Sequence, residues 1–216
     1  MSSDHLSCVY FIIMKQVDKA HYSFRSYCYP ERWASYYYQL ETILGLQASS
    51  VLEVGSGDNV LRNYIEHNTQ ISYTNLDIAD DLKPDILGSV EHIPCADSSF
   101  DVVCAFEVLE HLPFEKFEKS FSEMMRVART HVVVSVPHFG PSIRFSFKIP
   151  FLPEVRFACK VPFPKRHVFN GQHYWELGKK GFPVRRVREI VKKYGDVVDE
   201  FVPFENQYHH FFVIKK

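Results

Sequence analysis

The chain has 216 residues, 46% of them apolar, with 25 Lys or Arg against 26 Asp or Glu. That length suits one α/β domain with a full core, and the apolar share excludes wholesale disorder. A net charge of -1 gives no global electrostatic case for nucleic-acid binding. Cys8, Cys28, Cys95, Cys104 and Cys159 are scattered, odd in number and without a CxxC pair. A disulfide framework and a cysteine zinc site are therefore not expected, and a reducing compartment fits.

Residues 8–14 form the longest apolar run near the start. The run is too short to cross a bilayer and lacks a basic n-region and a small-residue cleavage site, so a cytoplasmic location is expected. Met14 offers an alternative start, and residues 1–30 read as an extension to a single domain over 31–216. From 31 to 44, Trp33, Tyr36, Tyr37, Leu40, Ile43 and Leu44 fall at helical spacing, with Gly45 as a stop. Residues 51–54 read as a short buried strand that contains Glu53. Gly55 and Gly57 follow, and Asp58 and Asn59 can start a helix with Val60, Leu61, Tyr64 and Ile65 on one face. Strands are expected at 71–76, with Asp77 at the end, at 86–90 and at 100–106. Phe114, Phe117, Phe121, Met124 and Ala128 repeat at three and four residues, giving an amphipathic helix. A fifth strand at 131–136 stops at Pro137.

Residues 138–172 break this rhythm with five prolines, six Lys or Arg and seven phenylalanines. A helical turn at 174–178, a helix at 184–194 and strands at 197–202 and 208–214 close the chain. The last two strands leave no room for a helix between them and must pair antiparallel. Strand–helix repeats with short links imply an α/β, doubly wound, mostly parallel seven-stranded sheet with a C-terminal antiparallel hairpin.

A glycine turn between strand and helix brings bare backbone and helix N–H groups to a ligand. Asp77 lies twenty residues beyond Gly57, where a carboxylate can accept hydrogen bonds from two ribose hydroxyls. Dinucleotide and adenosylmethionine sites share this logic. A GxGxxG fingerprint would need glycine where Val60 stands. A pyrophosphate disfavours an acid at the position of Glu53, whereas a cationic, amino-acid-bearing cofactor suits it. A nicotinamide-dependent oxidoreductase is thus the weaker reading.

On these residues the chain resembles a class I S-adenosylmethionine-dependent methyltransferase of the broad small-molecule type. Residues 51–57 are similar to that family's first motif and Asp77 to its second-strand acid. Residues 92–103 resemble the stretch leading into strand four, and 107–112 the motif after it. The resemblance implies a Rossmann-like methyltransferase fold and S-adenosyl-L-methionine as cofactor, held by Glu53, Gly55, Ser56, Gly57, Asp77, Ile78, Ser89, Val90, Phe106 and Glu107. Two positions depart from the pattern. Asn59 stands where a third glycine is usual, and Asn tolerates a left-handed backbone. Ser89 and Val90 stand where an adenine-orienting Asp is common.

Glu107 and His138 follow strands four and five at the ligand edge and are the candidates for removing an acceptor proton. His111, Arg144, His167 and His173 are candidates on the acceptor side. No His spacing suggests a metal site, and the rings of adjacent His209 and His210 point to opposite strand faces. The insertion at 138–172 has three readings. It is a lid whose cations (Arg144, Lys148, Arg156, Lys160, Lys165 and Arg166) meet an anionic acceptor, a surface for acidic lipids, or a segment whose phenylalanines pack on the sheet. A lid that also packs is the favoured expectation. The expected activity is methyl transfer to an anionic small molecule, such as a phosphorylated or nucleotide-linked sugar or a lipid-linked glycan. Peripheral membrane contact is allowed, and nucleic acid is not an expected partner. The alternative is a non-catalytic module that binds the cofactor, a partner or a membrane through the aromatic insertion.

Overall fold

The computed structural model describes residues 19–216. It opens with a 3-10 turn (Lys19–Tyr22), a one-turn helix α1 (Phe24–Tyr27) and a long helix α2 (Pro30–Gly45). Pro30 occupies the first helical turn, where its missing N–H has no intrahelical partner to lose. The wound part runs β1 (Ser50–Val54), α3 (Val60–Asn68), β2 (Ser72–Asp77), β3 (Ile86–Leu87), β4 (Phe100–Phe106), α4 (Phe117–Val127) and β5 (Ala128–Pro137). A separate pair, β6 (Ser142–Phe147) and β7 (Val155–Lys160), precedes α5 (Val184–Val191), β8 (Asp196–Phe201) and β9 (His209–Lys215). Met14 and the apolar run at 8–14 lie outside the described residues.

Seven strands form one sheet in the order β3-β2-β1-β4-β5-β9-β8. The pairs among β1 to β5 are parallel, and β9 runs antiparallel to both β5 and β8. Strand order reverses between β1 and β4, which opens a crevice at their carboxyl ends. The core has two layers. On one face Leu52, Val103, Val134 and Phe212 meet Phe117, Phe121, Trp175 and Val187. On the other, Val51, Cys104, Val133 and Phe211 meet Ile43, Leu61 and Ile65. Interior strands buried on both faces explain the near-continuous apolar runs of β4 and β5.

Several boundaries differ from the sequence reading. The third strand stops at Leu87, because Gly88 leaves it and Ser89 and His92 close a tight turn. A separate 3-10 turn (Phe114–Lys116) precedes α4, and Ala128 belongs to β5 rather than to the helix. Residues 174–178 are not helical. Leu177 instead pairs in parallel with His138, with its N–H on the Pro137 carbonyl.

The insertion forms a hairpin. Ile143, Phe145 and Phe147 of β6 stand opposite Cys159, Phe157 and Val155 of β7, so these side chains share one face. Arg144 and Ser146 oppose Ala158 and Arg156 on the other. The polar face is tied to the domain. Arg144 donates to the carbonyls of Phe204 and Glu205, Arg156 pairs with Glu205, and Lys160 donates to the carbonyls of His138 and Gly140. The apolar face is open, and Ile143, Phe145, Phe147, Val155 and Phe157 are all exposed. The phenylalanines therefore do not pack on the main sheet, contrary to one of the three readings.

Candidate cofactor and acceptor site

The cradle is built where β1 turns into α3. Gly55 and Gly57 have φ of +75° and +53°, and the Gly55 N–H donates to the Leu76 carbonyl at 2.8 Å. Asn59 has φ of +62°, the left-handed conformation expected of it. A Cβ on Gly55 would lie 2.5 Å from Val108 Cγ2, so the turn also sits close against the loop after β4. Asn75 holds the turn from β2 by donating to the Ser56 hydroxyl at 2.7 Å. Asp77 ends β2 beside this turn and accepts from the Ala79 N–H at 2.9 Å. Burial raises its pKa against its hydrogen bonds from the Ala79, Ile78 and Ser56 backbones. Gly88 donates to the Asp77 carbonyl, which ties the start of the loop carrying Ser89 and buried Val90 to the end of β2.

Glu53 points from β1 into the α2/α3 layer and is almost wholly buried. Its carboxyl accepts from the Tyr73 hydroxyl. Burial pushes its pKa up to about 8, with Asp58 and Asp77 adding to the shift. Phe106 closes the same layer against Phe211, with ring centres 5.9 Å apart.

The N-terminal segment lies over this cradle. A Cβ on Gly57 would meet the Tyr22 ring at 3.2 Å. Burial and the carboxylates of Asp77 and Asp58 push the Tyr22 phenol up to about 12. Tyr36 of α2 donates to Asp58 at 2.5 Å, and the Arg32 guanidinium stacks 4.4 Å over the Tyr27 ring. A cavity of about 30 Å³ remains among Tyr27, Arg32, Glu53, Gly55 and Phe106. A larger cavity of about 460 Å³ lies between α2 and strands β8 and β9, and none of the sequence-predicted site residues lines it.

Beyond β4 and β5 the chain gathers a second group of ionisable side chains. Glu107 has φ of +57°, a left-handed backbone that a non-glycine residue rarely adopts. Its N–H donates to the Ser135 carbonyl, its carboxylate accepts from the Ser135 hydroxyl at 2.9 Å, and His209 Nε2 lies 3.5 Å from its other oxygen. Burial pushes Glu107 up to about 8, while Arg32 pulls the other way. Glu110 and His111 follow in a 3-10 turn (Leu109–His111). The Tyr174 N–H donates to the Glu110 carbonyl at 2.9 Å and the Trp175 indole to the Leu112 carbonyl at 3.2 Å. These bonds bring His173 to His111, with ring centres 5.1 Å apart. Burial and His173 push His111 down to about 4. Burial alone would raise Glu176, but hydrogen bonds from His173 and Tyr208 outweigh it and lower its pKa.

Of the candidates on the acceptor side, the fold joins Glu107, His111 and His173 in one cluster, with His167 behind them. His167 Nε2 donates to the His173 carbonyl at 2.9 Å. His138 is engaged elsewhere. Its Nδ1 meets His210 Nδ1 at 2.9 Å, His210 meets Glu200 at 3.0 Å, and Glu200 holds Arg188 at 2.7 Å. Burial, His210 and Lys160 push His138 down to about 3. Arg144 lies on the polar face of the hairpin, bound to residues 204 and 205. His209 and His210 do point to opposite faces, one to Ser35 and Glu107 and the other to His138. Glu110, Glu176, Tyr208 and Arg32 were not singled out from the sequence. For Glu110 a local signal existed, an acid and a histidine side by side after a buried strand. For the others the partners are far apart in the chain.

A sequence profile described as a methyltransferase domain matches residues 52–135. No functionally curated protein matches the chain. Among solved structures, the methyltransferase domain of bacterial CtHen1-CN is 16% identical with a TM-score of 0.58, over 86% of this chain and 99% of that one. A SAM-dependent methyltransferase from Aquifex aeolicus is 14% identical with a TM-score of 0.57, over 92% and 98%. The Burkholderia thailandensis 1,6-didemethyltoxoflavin-N1-methyltransferase, bound to its substrate and S-adenosylhomocysteine, is 15% identical with a TM-score of 0.56, over 86% and 77%. Residues 52–135 thus match a methyltransferase-domain profile, and the chain has the fold of the class I S-adenosylmethionine-dependent methyltransferases.

Proposed function

We propose that this chain binds S-adenosylmethionine across the crevice between β1 and β4 and transfers its methyl group to a small-molecule acceptor held beyond β4 and β5. One observation carries the reading: the turn at Gly55, Ser56 and Gly57 stands beside a strand-end carboxylate, Asp77, with a buried acid, Glu53, one step inside. The turn offers backbone to the cofactor, Asp77 accepts from the ribose hydroxyls, and Ile78, Ser89 and Val90 wall the adenine side, with Phe106 beside Glu53. Glu53 meets the cationic methionine end. Entry of a nucleoside displaces the Tyr22 ring from Gly57. The protein's main contribution to the chemistry is alignment and exclusion of water, since the sulfonium is itself a strong electrophile.

Where the acceptor must lose a proton, Glu107 fits better than His138. Its pKa stands near the pH at which a general base is effective, and its carboxylate lies 3.5 Å from His209 Nε2. His138 is held too acidic and is turned towards His210.

The hairpin supports a reading of the acceptor class. Residues 142–166 carry six Lys or Arg against one Glu; Arg144, Arg156 and Lys160 bind the domain, Lys148, Lys165 and Arg166 are exposed, and the apolar face of the hairpin is open. An apolar face with cations around it is complementary to an anionic bilayer. This supports a lipid-linked, anionic acceptor such as a glycan carried on a lipid phosphate.

The cofactor is tested by calorimetric titration with S-adenosylmethionine, S-adenosylhomocysteine and NAD, using the wild type and Asp77→Ala. The first two are expected to bind in the micromolar range, weakened about tenfold or more in the variant by loss of a charged hydrogen-bond acceptor. Binding of NAD in place of the sulfonium cofactor would overturn the reading.

A further inference from the structure

The cluster beyond β4 contains a group that the proposed methyl transfer does not use. Glu110 is fully buried, and among the described residues its carboxylate oxygens have no hydrogen-bond partner beyond the residue's own backbone N–H. His173 Nε2 lies 3.9 Å from one of them. A buried carboxylate so poorly partnered is costly. Protonation removes the charge but leaves an O–H and a carbonyl oxygen still unmet. A bound cation compensates the charge and engages one oxygen directly.

The geometry points to a divalent-cation site at Glu110, His111 and His173, and to a first-row transition ion such as Zn²⁺, Co²⁺, Mn²⁺ or Fe²⁺ as its ligand. One carboxylate oxygen and one nitrogen from each imidazole lie within 4.8 Å of one another. Bonds of about 2.0–2.2 Å from O and N to a common ion require ligand atoms roughly 3.0–3.5 Å apart, so side-chain closure of about an ångström completes the set. Two imidazoles and one carboxylate suit borderline transition ions, whereas Mg²⁺ and Ca²⁺ favour all-oxygen shells. Three protein ligands leave positions for water or for an oxygen of another ligand.

The surroundings hold the three side chains as outer partners hold metal ligands. His111 Nδ1 meets the Gln172 carbonyl at 3.2 Å. His173 Nδ1 meets Glu176 at 3.4 Å, and Glu176 is itself bound by Tyr208. Such carboxylate and carbonyl contacts fix ring orientation at metal sites. The backbone is fixed as well. Asn170 accepts from the His173 N–H at 2.8 Å, and the next residue, Tyr174, donates to Glu110. The two ligand-bearing segments, distant in sequence, are thus held together by protein contacts that need no ion.

The test uses the full chain stripped with EDTA, dialysed and titrated at neutral pH with Co²⁺ alone and with Zn²⁺ alone. The expected result is one ion per chain, visible absorption from Co²⁺–imidazole coordination, and a thermal midpoint raised by Zn²⁺. Glu110→Gln and His173→Ala should each weaken binding about tenfold or more, while His131→Ala, on the far end of β5, should not. Glu110→Gln keeps the side-chain shape, and the melting of each stripped variant shows that it folds. Lack of Co²⁺ and Zn²⁺ binding, equal binding by wild type and both variants, or tighter binding of Mg²⁺ than of Zn²⁺ would overturn the assignment. None of these readouts requires methyl transfer or cofactor binding, so this site and the proposed activity stand or fall separately.

Discussion

Two antiparallel pairs in this molecule obey the same period of two and end in opposite states. In the pair β5/β9, both faces are covered. Val132, Val133, Val134 and Val136 are fully buried, as are Phe211, Phe212 and Ile214. In the pair β6/β7, the side chains also sort into an apolar and a polar face, but the polar face docks on the domain and the apolar face meets solvent. The first pair is held by burial of area, at roughly 25 cal/mol per Å². The second is held at its base by charged groups on carbonyls and by an exposed ion pair, contacts of small individual worth. Alternation says which residues share a face. It does not say which face turns inwards.

That contrast predicts unequal costs for one kind of change. Phe212→Ala removes a fully buried ring that stacks 4.6 Å from His210 and packs with Ile214 and Trp175. Denaturant unfolding should show a loss of about 3–5 kcal/mol. A loss below about 1 kcal/mol would mean that the sheet beside β5 is held by something other than packing.

A smaller effect concerns the acid that the main sheet buries. Glu53 is protonated in the folded protein below its raised value of about 8, whereas an unfolded glutamate ionises near 4.3. Between those two values the folded state holds a proton that the unfolded state has released, so stability falls as pH rises through the window. Glu53→Gln keeps an acceptor for the Tyr73 hydroxyl and removes the titration. The variant should match the wild type near pH 4.5 and exceed it by on the order of 1–3 kcal/mol at pH 7.5. The measurement is denaturant unfolding of both proteins at the two values. A gain that does not grow with pH would show that the carboxylate is ionised in the folded state. The same change should weaken cofactor binding, because a bound cation draws the proton off Glu53 whereas the amide cannot become charged.

Legibility from sequence divides along the same line as these energetics. The cradle was legible because its parts are consecutive or fixed by strand length. Gly55 to Gly57 form one turn, and Asp77 falls where β2 must end. The left-handed backbone at Asn59 was legible from the residue type alone. The acceptor-side cluster was not, because His173 reaches Glu110 and His111 only through the Tyr174 N–H and the Trp175 indole, non-local bonds with no spacing rule behind them. The strands of the hairpin were written in plain alternation at Ile143, Phe145 and Phe147. The length of the insertion suggested a lid instead. Its outward apolar face depends on where Arg144 and Lys160 find carbonyls, which tertiary structure alone decides. The pairing of His138 with His210 is of the same kind. Both lie at the right edge of the sheet, yet contact across β5 and β9 removes His138 from the cluster.

The smallest effect on stability is expected where the largest effect on association is proposed. Phe151 is fully exposed at φ of +68° in the turn between β6 and β7, with half-exposed Leu152 beside it, so folding places no apolar cover on them. Phe145→Ser and Phe151→Asp should each change unfolding free energy by no more than about 0.5 kcal/mol, as for other surface positions. If the open face meets anionic lipid, the protein should sediment with vesicles containing phosphatidylglycerol and not with pure phosphatidylcholine. Each substitution should then reduce that binding about tenfold or more, because the hydrophobic and the electrostatic parts act together. Raised salt should weaken it too, through screening of exposed Lys148, Lys165 and Arg166. Binding to both vesicle types alike would leave the cations without a role. A concentration-dependent dimer in gel filtration, with no vesicle binding, would give the same face to a second copy of the chain. A large loss of stability in Phe145→Ser would break the comparison itself, since it would show that the hairpin is held through its apolar face after all.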